Sequence, residues 1–226
     1  MAHRVLMRYP LSIYKETKKV IQHFSHLLVL DFECTCIKDN QIEPQEIIEL
    51  PCAVVCTKNW EIVNTFHKYI KPRFHPQLTP FCIDLTGIMQ DMVDKEPYFP
   101  EVFQEFCNWL KKYNYSSENS AFVTCGNWDL QYMLPYQCQL EKIQLPVQYN
   151  KWINLKNTFC DATEYYPRSL KDMLSYLKLP MYGKLHSGID DVRNMVQIIQ
   201  SLQSLYNIEF KINNVDPNIL KKLTKI

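Results

Sequence analysis

Acidic residues in three short segments, with a histidine beside one of them, are the side chains that point to chemistry in this chain. The segments are Asp31-Phe32-Glu33, Gly126-Asn127-Trp128-Asp129 and His186-Ser187-Gly188-Ile189-Asp190-Asp191. Carboxylate oxygens are ligands that hard divalent cations prefer, and no single segment could hold a metal alone. Brought together by folding, they would bind two cations beside a histidine. That assembly suits cleavage of a phosphodiester bond by metal-activated water.

Each segment taken by itself also allows a structural interpretation. Asp31 and Glu33 are two residues apart on a predicted strand, so both side chains would face the same way, either to a cation or into solvent. Asp129 could instead cap a following helix. Asp191 could simply favour the positive end of a helix dipole, and His186 could be an exposed structural residue. Only the combination of all five residues favours a site.

Short apolar strands followed by amphipathic helices are the elements that must position these segments. Apolar and β-branched runs predict a three-stranded meander over 27–30, 46–56 and 61–70, with a turn at 57–59, and a fourth strand over 121–125. Helical spacing predicts helices over 99–113, 169–179 and 188–203, and a helix or turn over 130–138. Strands first and mixed elements later predict an α/β or α+β domain.

Length and composition agree with one domain that has a substantial core. The chain has 226 residues, of which 46% are hydrophobic and 22% charged. A net charge of +1 disfavours a protein that coats long nucleic acids, and four glycines disfavour glycine-rich phosphate loops. We divide the chain into a basic N-terminal extension (1–26), a catalytic domain (27–205) and a C-terminal tail (206–226).

Cysteine usage favours a reducing environment. The nine cysteines include no CxxC pair and lie mostly in apolar runs, which is typical of free, buried thiols. Neither a signal peptide nor a membrane span is apparent, so no membrane association is expected. These features predict a protein of the cytoplasm, the nucleus or both.

The order of the motifs resembles the DEDDh family of 3′→5′ exonucleases. In that family a DxE pair, a WD pair after a strand and an HxxxxD pair at a helix start follow one another. The flanking sequence is similar to the branch that includes the histone-mRNA 3′ exonuclease and the enhanced-RNAi nuclease, over roughly residues 27–205. The segments that carry this likeness are Asp31 to Cys36, Gln45 to Glu49, Leu78 to Cys82, Leu85 to Ile88, Trp152 to Leu155 and His186 to Asp191.

The resemblance implies an RNase H-like α/β fold with a mixed central β-sheet flanked by helices. It also implies two Mg²⁺ ions, for which Mn²⁺ would substitute, and a histidine general base at His186. The implied metal ligands are Asp31, Glu33, Asp129 and Asp191. The five-residue offset from the histidine selects Asp191 rather than its neighbour Asp190.

Several further residues are candidates for contacting the substrate. Trp128, next to Asp129, is a candidate platform on which a base would stack. By resemblance, the terminal base and sugar would be lined by Phe81, Leu85, Thr86 and Ile88. The chain departs from the family just before the histidine, where Lys184-Leu185 stand in place of the frequent Arg-Pro.

The function implied is a metal-dependent exoribonuclease that trims RNA 3′ ends, single-stranded or overhanging, and releases 5′-mononucleotides. One alternative is a 3′→5′ exonuclease acting on DNA or on both nucleic acids, because the metals do not distinguish ribose from deoxyribose. Another is a vestigial module that binds RNA or protein without turnover. All five catalytic positions hold the required residue types, which disfavours the vestigial interpretation.

Overall fold

A single β-sheet of mixed direction organises the part of the chain that the structure, a computed structural model, describes: residues 19–216. Its strands are β1 (His26–Leu30), β2 (Glu33–Cys34), β3 (Ile47–Cys56), β4 (Ile62–Tyr69), β5 (Ser120–Thr124), β6 (Lys151–Asn154) and β7 (Asn214–Val215). Across the sheet the order is β4, β3, β1, β5, β6, β7, and β2 also pairs with β3. Strands β1, β5 and β6 run parallel, and the other pairings are antiparallel.

Helices cover both faces of this sheet. They are α1 (Pro80–Thr86), α2 (Gln90–Val93), α3 (Phe99–Lys112), α4 (Leu134–Leu140), α5 (Leu155–Thr163), α6 (Leu170–Tyr176) and α7 (Gly188–Tyr206). A π-helical turn, Asp129–Met133, runs directly into α4, and a 3₁₀ turn, Val147–Asn150, precedes β6. The expected RNase H-like architecture, a mixed sheet flanked by helices, is confirmed.

Strand β1 shows why the apolar run 27–30 has no polar residue. Leu28 and Leu30 lie in the core shared with α3 and α4, whereas Leu27 and Val29 lie in the core shared with α5, α6 and α7. Alternate side chains of a strand point to opposite faces, so a strand between two helical layers must be apolar throughout. This places the end of β1 at the centre of the molecule.

Most of the elements expected from the sequence are confirmed, including the antiparallel meander and the helix around Val102 and Phe106. Ser169 caps α6, since its hydroxyl accepts from the backbone N–H of Asp172 at 3.2 Å. The continuous strand expected through Asp31 and Glu33 is wrong.

The break in that strand has a physical cause. β1 ends at Leu30 and β2 begins at Glu33. Between their partners in β3 lies Pro51, which has no N–H to donate. Phe32 donates its own N–H to the Asp129 carboxylate at 3.0 Å rather than to a ladder.

Two of the expected regions lie partly outside the described residues. Of the basic N-terminal extension, the structure describes only residues 19–26, and of the C-terminal tail it describes 206–216. Between residues 19 and 216, no helix is both long and apolar enough to cross a bilayer.

Candidate active site

The parallel strands β1 and β5 bring two of the predicted ligands to one edge of the sheet. In their register Val29 lies beside Val123, so the carboxyl ends of both strands reach the same level. Asp31 follows β1, and Asp129 follows β5 after a short loop. Glu33, in β2, lies at the same edge, because β2 continues along β3 where β1 leaves it. Three carboxylates therefore meet at the point where the parallel strands end.

Asp129 is buried, and its role differs from that of a helix cap. It is the first residue of the π-helical turn, and the cap position belongs to Trp128, which makes no side-chain capping bond. One carboxylate oxygen of Asp129 accepts the Phe32 N–H described above. The bond ties the segment after β5 to the segment after β1, and so holds Asp129 beside Asp31.

Asp191 reaches the same cluster from the first turn of α7. Its Oδ2 accepts the backbone N–H of His186 at 2.9 Å. His186 itself has a left-handed backbone with φ +63°, a conformation that is uncommon for a residue other than glycine. The five-residue spacing between histidine and aspartate thus lets the helix-borne carboxylate clamp the loop that presents the histidine ring, which is exposed.

Asp190 turns away from this cluster and holds the loop instead. Its Oδ2 accepts the backbone N–H of Lys184 at 3.1 Å, and its Oδ1 pairs with Arg193 at 3.3 Å. The Lys184 ammonium donates to the carbonyl of Asp84 near the end of α1. The loop before His186 is therefore anchored to two elements by Lys184, the position at which the sequence departs from the family.

Glu49 is a buried carboxylate beside the cluster that the sequence analysis did not assign to the site. It is 1% exposed, and its two oxygens accept the backbone N–H groups of Gly188 and Ile189 at 3.0 and 3.3 Å. His67 on β4 lies 2.7 Å from the same carboxylate. Glu49 therefore binds the N-terminus of α7 to the sheet. An acidic residue inside the otherwise apolar run of β3 was the available signal.

Gly188 permits this close docking. A β-carbon at this position would lie 3.0 Å from the Asp31 carbonyl oxygen and 3.0 Å from a Glu49 carboxylate oxygen. Such contacts are tight enough to push the helix away from the sheet. A side chain here would thus displace Asp191 from the carboxylates on the sheet.

Burial and like charge raise the pKa values of these carboxyl groups. Burial, then Asp129 and the other acidic neighbours, raises the pKa of Asp31 well above its usual range. Burial, followed by Glu49 and Asp191, raises the pKa of Glu33 to about 9. Burial likewise raises the pKa values of Asp129 and Asp191 to about 6, although the N–H donors of Phe32 and His186 act in the opposite direction. The cluster therefore has too little positive charge nearby to keep all four carboxyl groups ionised.

The donor set fits a divalent cation. Ligand atoms of Glu33, His186 and Asp191 all lie within 4.8 Å of one another. Oδ1 of Asp191 is buried and has no hydrogen-bond partner among the described residues. Buried carboxylate oxygens are normally satisfied, so an unpartnered one at this position is what a missing cation would leave.

A small cavity of about 250 Å³ opens over the cluster. Asp31, Glu33 and His186 line it, together with three of the predicted substrate contacts, Trp128, Leu85 and Thr86. The other two predicted contacts are placed elsewhere.

Neither Phe81 nor Ile88 lines this cavity. Ile88 is 2% exposed and packs in a core cluster with Ile48 and Val93. The contact of Ile88 with a bound nucleotide stays a prediction, and its packing in this core cluster disfavours it. Its apolar side chain supports the segment rather than presenting a surface.

The family profile described as "Exonuclease" (RNase_T) matches residues 28–199. Human ERI1 exoribonuclease 3 is 46% identical over 184 residues, which is 80% of this chain and 54% of that protein. The chain therefore spans about half the length of this curated relative.

Two solved structures are also similar. The nuclease domain of 3′hExo, a DEDDh family member, bound to rAMP, superposes with a TM-score of 0.79 at 34% identity, covering 85% of this chain and 98% of that one. A structure of 3′-end specific recognition of histone mRNA stem-loop by 3′-exonuclease gives 0.79 at 30% identity, with 90% and 78% coverage.

The raised pKa values predict how the stability of the metal-free protein depends on pH. The folded protein keeps protons on Asp129 and Asp191 up to about pH 6 and on Glu33 up to about pH 9, whereas the unfolded chain releases them near 3.8 and 4.5. The free energy of unfolding should therefore fall as pH rises through this window. Thermal unfolding in EDTA across these pH values measures the effect.

Divalent metal should reverse that slope, because cation binding displaces the same protons. The stabilisation by Mn²⁺ or Mg²⁺ should therefore grow with pH. Asp191→Asn should flatten the pH dependence, while exposed Asp161→Asn should not. A melting temperature that rises with pH in EDTA would contradict the assignment.

Loss of the Glu49 charge should loosen the metal site. Glu49→Gln places an amide N–H against one of two backbone N–H donors, so the start of α7 should shift and carry Asp191 with it. Mutation of a residue that orients a metal ligand typically lowers metal affinity by about 10–100-fold. We expect at least a tenfold rise in the Mn²⁺ dissociation constant, measured by titration. Glu61→Gln, an exposed change, should leave the constant unaltered, and an equally unaltered constant in Glu49→Gln would refute the positioning role.

Proposed function

The chain belongs to the exonuclease (RNase_T) family and, within it, to the DEDDh exonucleases, and we propose on that premise that it is a metal-dependent 3′→5′ exoribonuclease. It would trim RNA 3′ ends and release 5′-mononucleotides. The observation that carries this proposal is the convergence of Glu33, His186 and Asp191 within 4.8 Å beneath an open cavity. Asp31 and Asp129 stand beside them at the same edge of the sheet.

RNA is favoured as the substrate by the proteins to which this chain is similar. One related nuclease domain is described with rAMP bound, and another structure with a histone mRNA stem-loop. The human relative carries the name exoribonuclease. This chain spans only about half of that relative, and DNA is the alternative outcome of the test.

Metal ions are the cofactor that the donor set suits. Two Mg²⁺ ions, or Mn²⁺, held by Asp31, Glu33, Asp129 and Asp191 would activate water and stabilise charge on the scissile phosphate. The four carboxylates would then be ionised, since the cations supply the positive charge that the protein lacks at this edge. The N–H donors of Phe32 and His186 keep two of them oriented.

His186 is the general base in this proposal. Its backbone N–H is occupied by Asp191, while its ring is exposed and lines the cavity. The ring in its neutral form would take the proton of the attacking water at one nitrogen. The clamp to Asp191 and the anchoring of Lys184 support this role, because they fix the backbone of the loop that carries the ring.

The terminal nucleotide would lie between Trp128 and α1. Trp128 is 43% exposed and follows the short loop after β5, while Leu85 and Thr86 form the opposite wall. A base stacked on an exposed indole gains about 1–3 kcal/mol. The cavity is open on one side, which suits a strand end whose remaining nucleotides continue outward.

The free thiols support a reducing compartment for this activity. All nine cysteines lie in the described part of the chain and none is in a disulfide. We therefore place the protein in the cytoplasm, the nucleus or both, where thiols stay reduced.

The test is a time course on one 5′-labelled oligonucleotide, as RNA and as DNA, with Mg²⁺, Mn²⁺ or EDTA. We expect a ladder that shortens from the 3′ end of the RNA only when metal is present. Comparable rates on DNA would establish a dual-specificity exonuclease instead. Binding without a ladder in either metal would refute the enzymatic proposal.

Two variants should separate metal binding from proton transfer. Asp191→Asn should abolish both cleavage and tight Mn²⁺ binding. His186→Ala should lower kcat by about 100-fold or more, since general bases contribute about 10²–10⁴-fold, while the fold is retained. Asp161→Asn, an exposed carboxylate on α5, is the matched control. Turnover near that of the parent protein in either site variant would exclude the assigned role.

A further inference from the structure

Three exposed aromatic side chains form a row that begins at the active-site cavity. Trp128, Tyr132 and Tyr136 are 43%, 58% and 37% exposed, and we call them the aromatic ridge. Each is followed by two buried residues and one partly buried or exposed residue, so the pattern repeats every four residues through 128–139. Large aromatic side chains at every exposed turn of one helical segment are not needed for its packing.

The π-helical turn keeps these residues on one face. An α-helix has about 3.6 residues per turn, so a four-residue repeat would drift around its axis. In this segment the backbone N–H of Leu134 donates to the carbonyl of Asp129, five residues back, which widens the turn. The wider turn compensates the drift between Trp128 and Tyr136. Such π-turns occur often at functional sites.

The two tyrosine rings are held in place by neighbouring polar groups. The Tyr136 hydroxyl donates to a Glu43 carboxylate oxygen at 3.0 Å, and the Gln131 amide donates to the Tyr132 hydroxyl at 3.0 Å. Within residues 19–216, no aromatic ring is stacked on any ring of the ridge. The ring faces are therefore available, and little side-chain entropy is lost when a flat ligand covers them.

We propose that the aromatic ridge binds the unpaired nucleotides that lie 5′ of the terminal residue of an RNA strand, through base stacking on Tyr132 and Tyr136. This inference rests on the proposed exonuclease function. Trp128 belongs both to the reaction cavity and to the ridge, so a strand whose 3′ end occupies the cavity can continue directly along it.

The chemistry of the ridge favours bases over phosphates. Residues three or four apart on a helix have Cβ atoms about 5–6 Å apart, so the three rings lie next to one another along the segment. Glu43, bonded to Tyr136, would repel a phosphate, so the ridge would meet the bases and the sugar-phosphate backbone would face away. Stacking tolerates any base, and it requires that the base be unpaired. The substrate class is thus a single-stranded 3′ extension of any sequence.

The kinetic test compares a long single-stranded RNA with a dinucleotide that is too short to reach Tyr136. Removing both rings in Tyr132→Ala/Tyr136→Ala should raise KM for the long strand about tenfold or more, because each stacked base contributes about 1–3 kcal/mol. The change in KM for the dinucleotide should be smaller, because its second base can reach Tyr132 but not Tyr136. Tyr132→Phe/Tyr136→Phe keeps the rings and should restore the KM of the parent protein.

Tyr166→Ala is the matched control, because Tyr166 is 59% exposed in the segment between α5 and α6, away from the ridge. Its KM should equal that of the parent protein. The single Tyr→Ala variants, checked by thermal unfolding, keep the test valid if the double variant folds poorly. An unchanged KM for the long strand in the alanine variants would overturn the proposal.

A binding measurement without turnover separates the ridge from the proposed function. Fluorescence anisotropy of a labelled single strand in EDTA should show weaker binding by the alanine variants than by the phenylalanine variants. Ridge-dependent binding by a protein that degrades nothing would support the ridge and refute the nuclease. Degradation and RNA binding that are both independent of the tyrosines would overturn the ridge and point to a protein partner on this face.

Discussion

The crowding of buried carboxylates at one edge of the sheet is the constraint on which the rest of this structure depends. Glu33, Asp129, Asp191 and Glu49 all lie close enough to Asp31 to raise its pKa, and three of them also raise the pKa of Glu33. Burial makes every one of these charges costly. Such an arrangement is stable when the carboxyl groups are protonated or when positive charge compensates them, and two divalent cations would supply that charge.

Backbone N–H donors and close packing stabilise this arrangement of carboxylates. The N–H groups of Phe32, His186, Gly188 and Ile189 all point at carboxylates. The bonds to Asp129 and Glu49 join segments that are far apart in sequence. The bond from His186 to Asp191 spans the turn that leads into α7. The docking of α7 on the sheet through Glu49 and Gly188 is therefore inseparable from the geometry of the acidic cluster. The contacts that pack α7 on the sheet are also the contacts that position the carboxylates.

The segment after β5 links this cluster to a wider surface. Asp129 faces inward to the carboxylates, while Trp128 faces the cavity and begins the aromatic ridge. The π-helical turn therefore sets both the position of the buried Asp129 side chain and the alignment of the three exposed rings. Reaction chemistry and strand binding would be coupled through rigid backbone rather than through a mobile loop.

Sequence alone determined the residue types, their order and the elements that carry them. The apolar run 27–30 and the helical periodicity from Ile189 onward are local properties, and local rules predicted them. The choice of Asp191 over Asp190 came instead from the family resemblance, through the five-residue offset from His186. The unbroken strand through Asp31 was a local inference that failed, because Pro51 and Asp129, both distant in sequence, decide where that strand stops. The burial of Ile88 and the docking role of Glu49 could not be predicted for the same reason. Which carboxylate meets which donor depends on contacts across the sheet, so only the tertiary structure decided it.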